Sequence, residues 1–472
     1  MDVAVLIPGI MATRLVLPKS ATGKEDEEVW PPTAIETQFG YSRIQKLQDP
    51  RVVTGDMIDK VLCFPFYVTI KEQLTKLGFS TSSMDKRLVE FPYDWRKDNF
   101  ETTRKLADRL DAFHANKSLR IVLIGHSMGG LVARLLMESG TYDSRPWFSS
   151  IKLFIALATP HLGAPLALAR IMGLDSTLGI SGADFARLAA NPDFPSGYQL
   201  IPAPQESAIW NLASPDVAPL DVYDTATALQ LGLDPALVAR AKAMHDVLGA
   251  GRRPPQVRYF YVAGAGHRTV TRVNVTARPG SPVDHGRSVV TRTADAGDGT
   301  VPMYSALPVT AQRFIVVNEH ATVFKGDPFR RAFFRLLGGD AGDPIESAAR
   351  EASDRAAGPQ LALSLDSPVQ RIRELIELTF GVFEARTLGD PLADSDPPRV
   401  ASIKGKLVLE SVNADDERWS HERDIPIDYS GPSIDRLTVH LPPIAKAGLY
   451  RIRFDGSPTA SDVARFAVSS AT

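Results

Sequence analysis

Residues Ile121 to Met137, IVLIGHSMGGLVARLLM, pass from an apolar β-type run into an apolar, helix-compatible run, with one hydroxyl, Ser127, at the junction. Gly125 and Gly129 flank that serine two residues away on either side, which permits a tight strand-to-helix turn that lifts Oγ above the sheet. The first N–H groups and the positive dipole end of the following helix then face the turn, where they favour developing negative charge. Ser127 is therefore a candidate nucleophile, and a helix-capping serine is the plainer alternative.

A strand feeding a helix is also the repeating theme of the chain. The apolar runs Val3–Ile7, Leu88–Phe91, Arg120–Ile124, Leu153–Ala158, Val257–Val262 and Phe314–Val317 suit a parallel sheet buried on both faces. Between them lie helix-compatible stretches such as Phe100–Ala115, with Leu106, Leu110 and Phe113 on one face, and Leu131–Glu138. The alternation predicts a doubly wound α/β domain over residues 1–340, closed by a final helix at Phe329–Leu337. Residues 18–60 and 166–255 break the alternation and read as a lid-like insert and a cap over one end of the sheet. Residues 341–359 read as a linker. Residues 360–472, with KLVLESV, RLTVHLP and LYRIRFDG, alternate apolar and polar positions between turns and predict a small C-terminal β-sandwich-like domain.

Composition narrows the function classes. With 53 basic against 55 acidic side chains, the formal charge is −2, which argues against a nucleic-acid partner. The single cysteine, Cys63, allows neither an internal disulfide nor a cysteine-based zinc site. The start, MDVAVLIPG, lacks a basic n-region and cleavage site, and apolar runs such as Ile151–Leu174 are broken by charged residues and proline. The expectation is a cytoplasmic protein whose membrane contact, where it occurs, is peripheral.

A serine hydroxyl needs a base, and the base needs an orienting carboxylate, expected in the order Ser, Asp, His. His320 follows the apolar run in FIVVNEHATVF, and Asp298 sits in the Gly-rich ADAGDGTVP, with Asp295 as its competitor. His114, His161, His267 and His285 read as structural, and Glu319 as a solvated or supporting neighbour of His320. The oxyanion donors are the N–H of Met128, after the nucleophile, and of Ile10, in the Pro8-Gly9 turn of LIPGIMATRL. In FPYDWR, Asp94 and Arg96 read as a structural ion pair beside Trp95, with pocket lining as the alternative. Trp30, Phe66 and Trp210 are candidate lipid-contacting aromatics, or simply core.

Taken in order, PGIMATRL, EFPYDWR, GHSMGGLVAR, ATPHLGAP, GDGTVP and NEHATVF resemble the lecithin:cholesterol acyltransferase and lysosomal phospholipase A2-like α/β-hydrolases over roughly Val3–Leu337. The resemblance implies a Ser127, Asp298, His320 triad, a second oxyanion donor after Pro8-Gly9, and an acyl ester of lipid type as substrate. It leaves the C-terminal β segment unmatched. The resulting expectation is a serine acyl hydrolase or acyltransferase that needs neither metal nor organic cofactor. The alternatives are a non-catalytic lipid- or protein-binding relative, and an esterase or peptidase acting on a non-lipid substrate.

Overall fold

The computed structural model describes residues 1–472 except 24, 62–63, 114–118, 215–216, 279, 308–311, 340–358, 366–368, 384–397, 413–418, 461–462 and 470–472, and gives residues 22, 61, 64, 65, 369 and 383 as backbone. Cys63, His114 and nearly all of the expected linker fall outside the described residues.

Six strands form the central sheet: β1 (Asp2–Ile7), β2 (Lys86–Glu90), β3 (Arg120–His126), β4 (Ile151–Leu157), β5 (Arg258–Gly264) and β6 (Gln312–Val316). Their spatial order is β2-β1-β3-β4-β5-β6, and every pairing is parallel. Strand β1 is hydrogen-bonded on both edges, Asp2–Leu6 against Lys86–Glu90 and Asp2–Ile7 against Arg120–Gly125. Val3 through Ile7 are completely buried, which is why that strand is apolar at consecutive positions instead of alternating. Each expected strand is present, shifted by at most two residues at either end.

Helix α1 (Asn99–Leu110) is capped by Asp98, whose side chain accepts from the Phe100 N–H. Helix α2 (Met128–Glu138) is buried along its whole length and begins three residues before the expected Leu131. Gly129 and Gly130 are poor helix formers that read as turn, but in the fold they are helical because the helix presses on the sheet. A Cβ on Gly129 would stand 2.3 Å from the Ile7 carbonyl oxygen.

The two interruptions are structured. Strands Glu27–Trp30, Thr13–Leu17 and Val53–Met57 form a small sheet. In the cap, Ile209–Asn211 and Ala218–Leu220 join the hairpin His267–Val275/Val289–Gly297 in a four-stranded sheet, so the cap region and the hairpin after β5 share one element. Helices Pro165–Ile171, Gly182–Ala189, Thr225–Gln230 and Pro235–Gly249 complete the cap. No helix among the described residues is long and apolar enough to cross a membrane.

Chain contacts divide the protein into two units, Met1–Pro32 with Tyr41–Arg330, and Thr33–Gly40 with Arg331–Thr472. The second unit holds two sheets, one of Gln360–Leu365, Ile376–Phe383 and Arg436–Leu441, the other of Val369–Arg371, Val463–Ser469, Gly448–Ser457, Val400–Val412 and Trp419–Ile434. Their inner faces share one apolar core. Phe380 of the first sheet meets Phe454 of the second edge to face at 5.2 Å.

Candidate active site

Strand β3 ends at His126, and Ser127 takes φ 53°, ψ −126° before α2 begins. A side chain at positive φ is strained, and such strain persists where surrounding structure fixes it. Here the Ser127 N–H donates to the Leu157 carbonyl at 2.8 Å, and the Ser127 carbonyl accepts from the Gly130 N–H at 3.0 Å. Gly125 is required because a Cβ there would stand 2.6 Å from the Gly130 Cα. The Met128 N–H opens the helix and, like the first N–H groups of any helix, has no acceptor within it.

The turn after β1 approaches this elbow closely. A Cβ on Gly9 would stand 2.9 Å from the Ser127 Cβ. Three aromatic side chains hold the turn: Tyr67 Oη accepts the Gly9 N–H at 2.8 Å, Tyr93 Oη donates to the Pro8 carbonyl at 2.8 Å, and Trp30 Nε1 donates to the Met11 carbonyl at 2.7 Å. Ile10 follows Gly9 in this turn.

Asp298 follows the hairpin strand Val289–Gly297 and is almost fully buried. Its Oδ1 accepts the N–H groups of Thr300 (2.9 Å) and Val301 (2.7 Å), while Oδ2 lies 2.8 Å from His320 Nδ1. The His320 N–H donates back to the Asp298 carbonyl at 2.9 Å, so backbone and side chain are paired together. Asp295 lies three residues earlier, exposed in the hairpin strand, and Asp298 is the carboxylate bonded to His320. The histidine loop and the elbow meet as well. The His126 and His320 rings lie 5.0 Å apart, and His126 Nε2 is 3.0 Å from the His320 carbonyl oxygen.

The other flagged residues have structural surroundings. Asp94 and Arg96 form an ion pair at 2.7 Å, with the guanidinium buried over the Phe194 ring and donating to the Leu47 carbonyl. Trp30 is core, packed edge-on against Tyr41 and Trp95. Trp210 is half-buried, with Arg272 over its ring at 5.7 Å. Phe66 is half-buried and packs on Tyr67 and His126. His161 is buried against Tyr261 with ring centroids 4.3 Å apart. Sequence reasoning missed Tyr67 and His126. The second was visible as the residue before the serine, whereas the first makes its contacts 58 and 59 positions away along the chain. Among the described residues, no group of three or more His, Cys, Asp or Glu side chains is placed to hold a metal ion.

Burial disfavours the imidazolium form of His126, pushing its pKa down to about 3, and lowers that of His161 well below the ordinary value. The unfolded chain binds those protons below pH ~6.5 and the folded one does not, so stability falls as pH drops below that point. We expect the unfolding free energy to decrease by about 2–3 kcal/mol per pH unit between pH ~6 and ~4 from these two residues, followed by urea denaturation. A flat profile across that range would contradict their neutral burial.

Residues 52–216 match the lecithin:cholesterol acyltransferase family model. Over those residues the chain is similar to that family, and its fold is that of an α/β-hydrolase. Over 86 residues the chain is 33% identical to a GPI inositol-deacylase of Candida albicans, a match covering 18% of the chain and one fifth (20%) of that relative's length. In solved structures it is similar to a chain of the Tle4–Tli4 complex, 13% identical at a TM-score of 0.51, covering 72% of this chain and 98% of that one. It is also similar to the mature lipase BlEst2 of Bacillus licheniformis, 14% identical at a TM-score of 0.37, covering 71% and 91%.

Proposed function

We propose that this protein cleaves acyl esters of lipid type through an acyl-enzyme on Ser127. The observation that carries the reading is the Asp298–His320 pair at 2.8 Å, set beside a strained serine elbow at the carboxyl ends of the sheet strands. Ser127 Oγ attacks the ester carbonyl carbon, and its proton passes to His320 Nε2. Asp298 holds Nδ1–H and stabilises the imidazolium. The oxyanion is held by the N–H groups of Ile10 and Met128 until the carbonyl re-forms, when the leaving alcohol takes the proton from His320. A second acceptor then repeats the sequence in reverse. Water yields a free fatty acid, and an alcohol yields a new ester. The lipid substrate is supported by the names of the matched family and of the matched relative, an acyltransferase of lecithin and an inositol-deacylase.

The test is fatty-acid release from phospholipid vesicles beside hydrolysis of a soluble p-nitrophenyl ester, with a long-chain alcohol added in a parallel reaction. We expect both substrates to be cleaved, with the alcohol reporting transfer through a new ester product. Cleavage of the soluble ester with intact vesicles would assign a non-lipid ester instead. Inertness toward both would favour a binding role for the scaffold.

A further inference from the structure

One hydrogen-bonded string crosses the site through residues that the chemistry above does not use. Tyr67 Oη accepts the Gly9 N–H at 2.8 Å and lies 2.7 Å from His126 Nδ1, while His126 Nε2 lies 3.0 Å from the His320 carbonyl oxygen. Donor counting fixes its direction. A carbonyl can only accept, so Nε2 carries the imidazole proton, and the neutral ring leaves Nδ1 as an acceptor. Tyr67 has a single proton and must give it to Nδ1. The string therefore runs Gly9 N–H to Tyr67 O–H to His126 to the His320 carbonyl, each link fitting the next.

Both side chains are sealed, Tyr67 at 0% and His126 at 1% exposure, so water cannot replace a lost link. Phe324 stacks on Tyr67 at 5.9 Å and meets the His126 ring edge-on at 5.5 Å, which fixes both ring planes. Burial also keeps both groups neutral, raising the phenol and lowering the imidazole. The two ends of the string lie beside working parts of the site: Gly9 immediately precedes Ile10, and the His320 carbonyl belongs to the base itself.

We propose that Tyr67 and His126 are positioning residues that set the oxyanion turn and the His320 backbone in register with Ser127. The inference rests on the triad reading above. Ser127 occupies the elbow next to His126, so its place relative to both ends is fixed by one covalent bond and three hydrogen bonds. Removing a link leaves a buried donor or acceptor unmet and lets one loop drift from the other.

The experiment compares Tyr67→Phe, His126→Gln, His126→Leu and the double variant Tyr67→Phe/His126→Leu in the full chain. Soluble-ester kcat and KM are measured per active site titrated with a fluorophosphonate, alongside thermal melting. Tyr67→Phe should lower kcat by on the order of 10- to 100-fold with KM within about twofold, as expected when the Gly9 N–H and His126 Nδ1 both lose their partner at a site where small displacements matter. His126→Gln, which can still donate to the His320 carbonyl, should retain more activity than His126→Leu. The double variant should be no slower than His126→Leu, because both changes break one string. Unchanged kcat per titrated site in Tyr67→Phe, or strictly multiplying losses in the double variant, would overturn the proposal. Should Tyr67→Phe fail to fold, the order of His126→Gln against His126→Leu still decides. Ser127→Ala is the separate control: an inert Ser127→Ala beside an unaffected Tyr67→Phe rejects the string alone, whereas an active Ser127→Ala rejects the triad reading.

Discussion

Ser127→Ala is expected to lower ester turnover at least about 10³-fold, with melting temperature changed by only a few degrees. The lost oxygen is the covalent attachment point, so no neighbouring group can replace it in the acyl-enzyme. The fold should tolerate the change because alanine keeps the Cβ that already occupies the strained φ of 53°, and the elbow is held by backbone groups. What remains comes from the donors that hold the oxyanion and from substrate binding. Turnover within tenfold of the native protein would move the nucleophile elsewhere.

Asp298→Asn is expected to cost about 10²- to 10⁴-fold in kcat, and Asp295→Asn little. Asp298 Oδ1 accepts two backbone N–H groups, from Thr300 and Val301. An asparagine satisfies those donors only by placing its carbonyl there, which aims its NH₂ at His320 Nδ1. That nitrogen must then act as an acceptor, the imidazole proton moves to Nε2, and Nε2 can no longer take the proton of Ser127. Asp295, exposed on the hairpin strand, imposes no tautomer. A larger effect at Asp295 than at Asp298 would reverse the assignment.

Much of this was legible in the sequence because the decisive chemistry is local. The five residues Gly125 to Gly129 specify strand, turn and helix together, since Gly125 answers the close approach of the helix that follows and Gly129 that of the end of β1. The buried strands were legible because burial on both faces removes every polar position, as Val3–Ile7 demonstrates. Asp298 and His320 could be found because each closely follows a strand and lies in the order expected after the serine. The strand Thr13–Leu17 was hidden because its partner Glu27–Trp30 begins inside the charged stretch Glu25–Glu28, which reads as loop. The cap strand Ile209–Asn211 was hidden for a related reason: three residues carry no period, and it exists only by pairing with Val273–Val275. Tyr67 lay beyond reach because a single phenol between two apolar segments has no local signature, and its importance arises from contacts with Gly9 and His126 that only the fold creates.

The central claim is that one serine carries the acyl group. Incubating the native protein and His320→Ala with a fluorophosphonate, then mapping the modified peptide by mass spectrometry, tests it most directly. The account predicts one adduct per chain, on Ser127, forming at least about 10²-fold more slowly in His320→Ala because the base that activates the hydroxyl is gone. An adduct on any other serine, or an unmodified native chain, would contradict it.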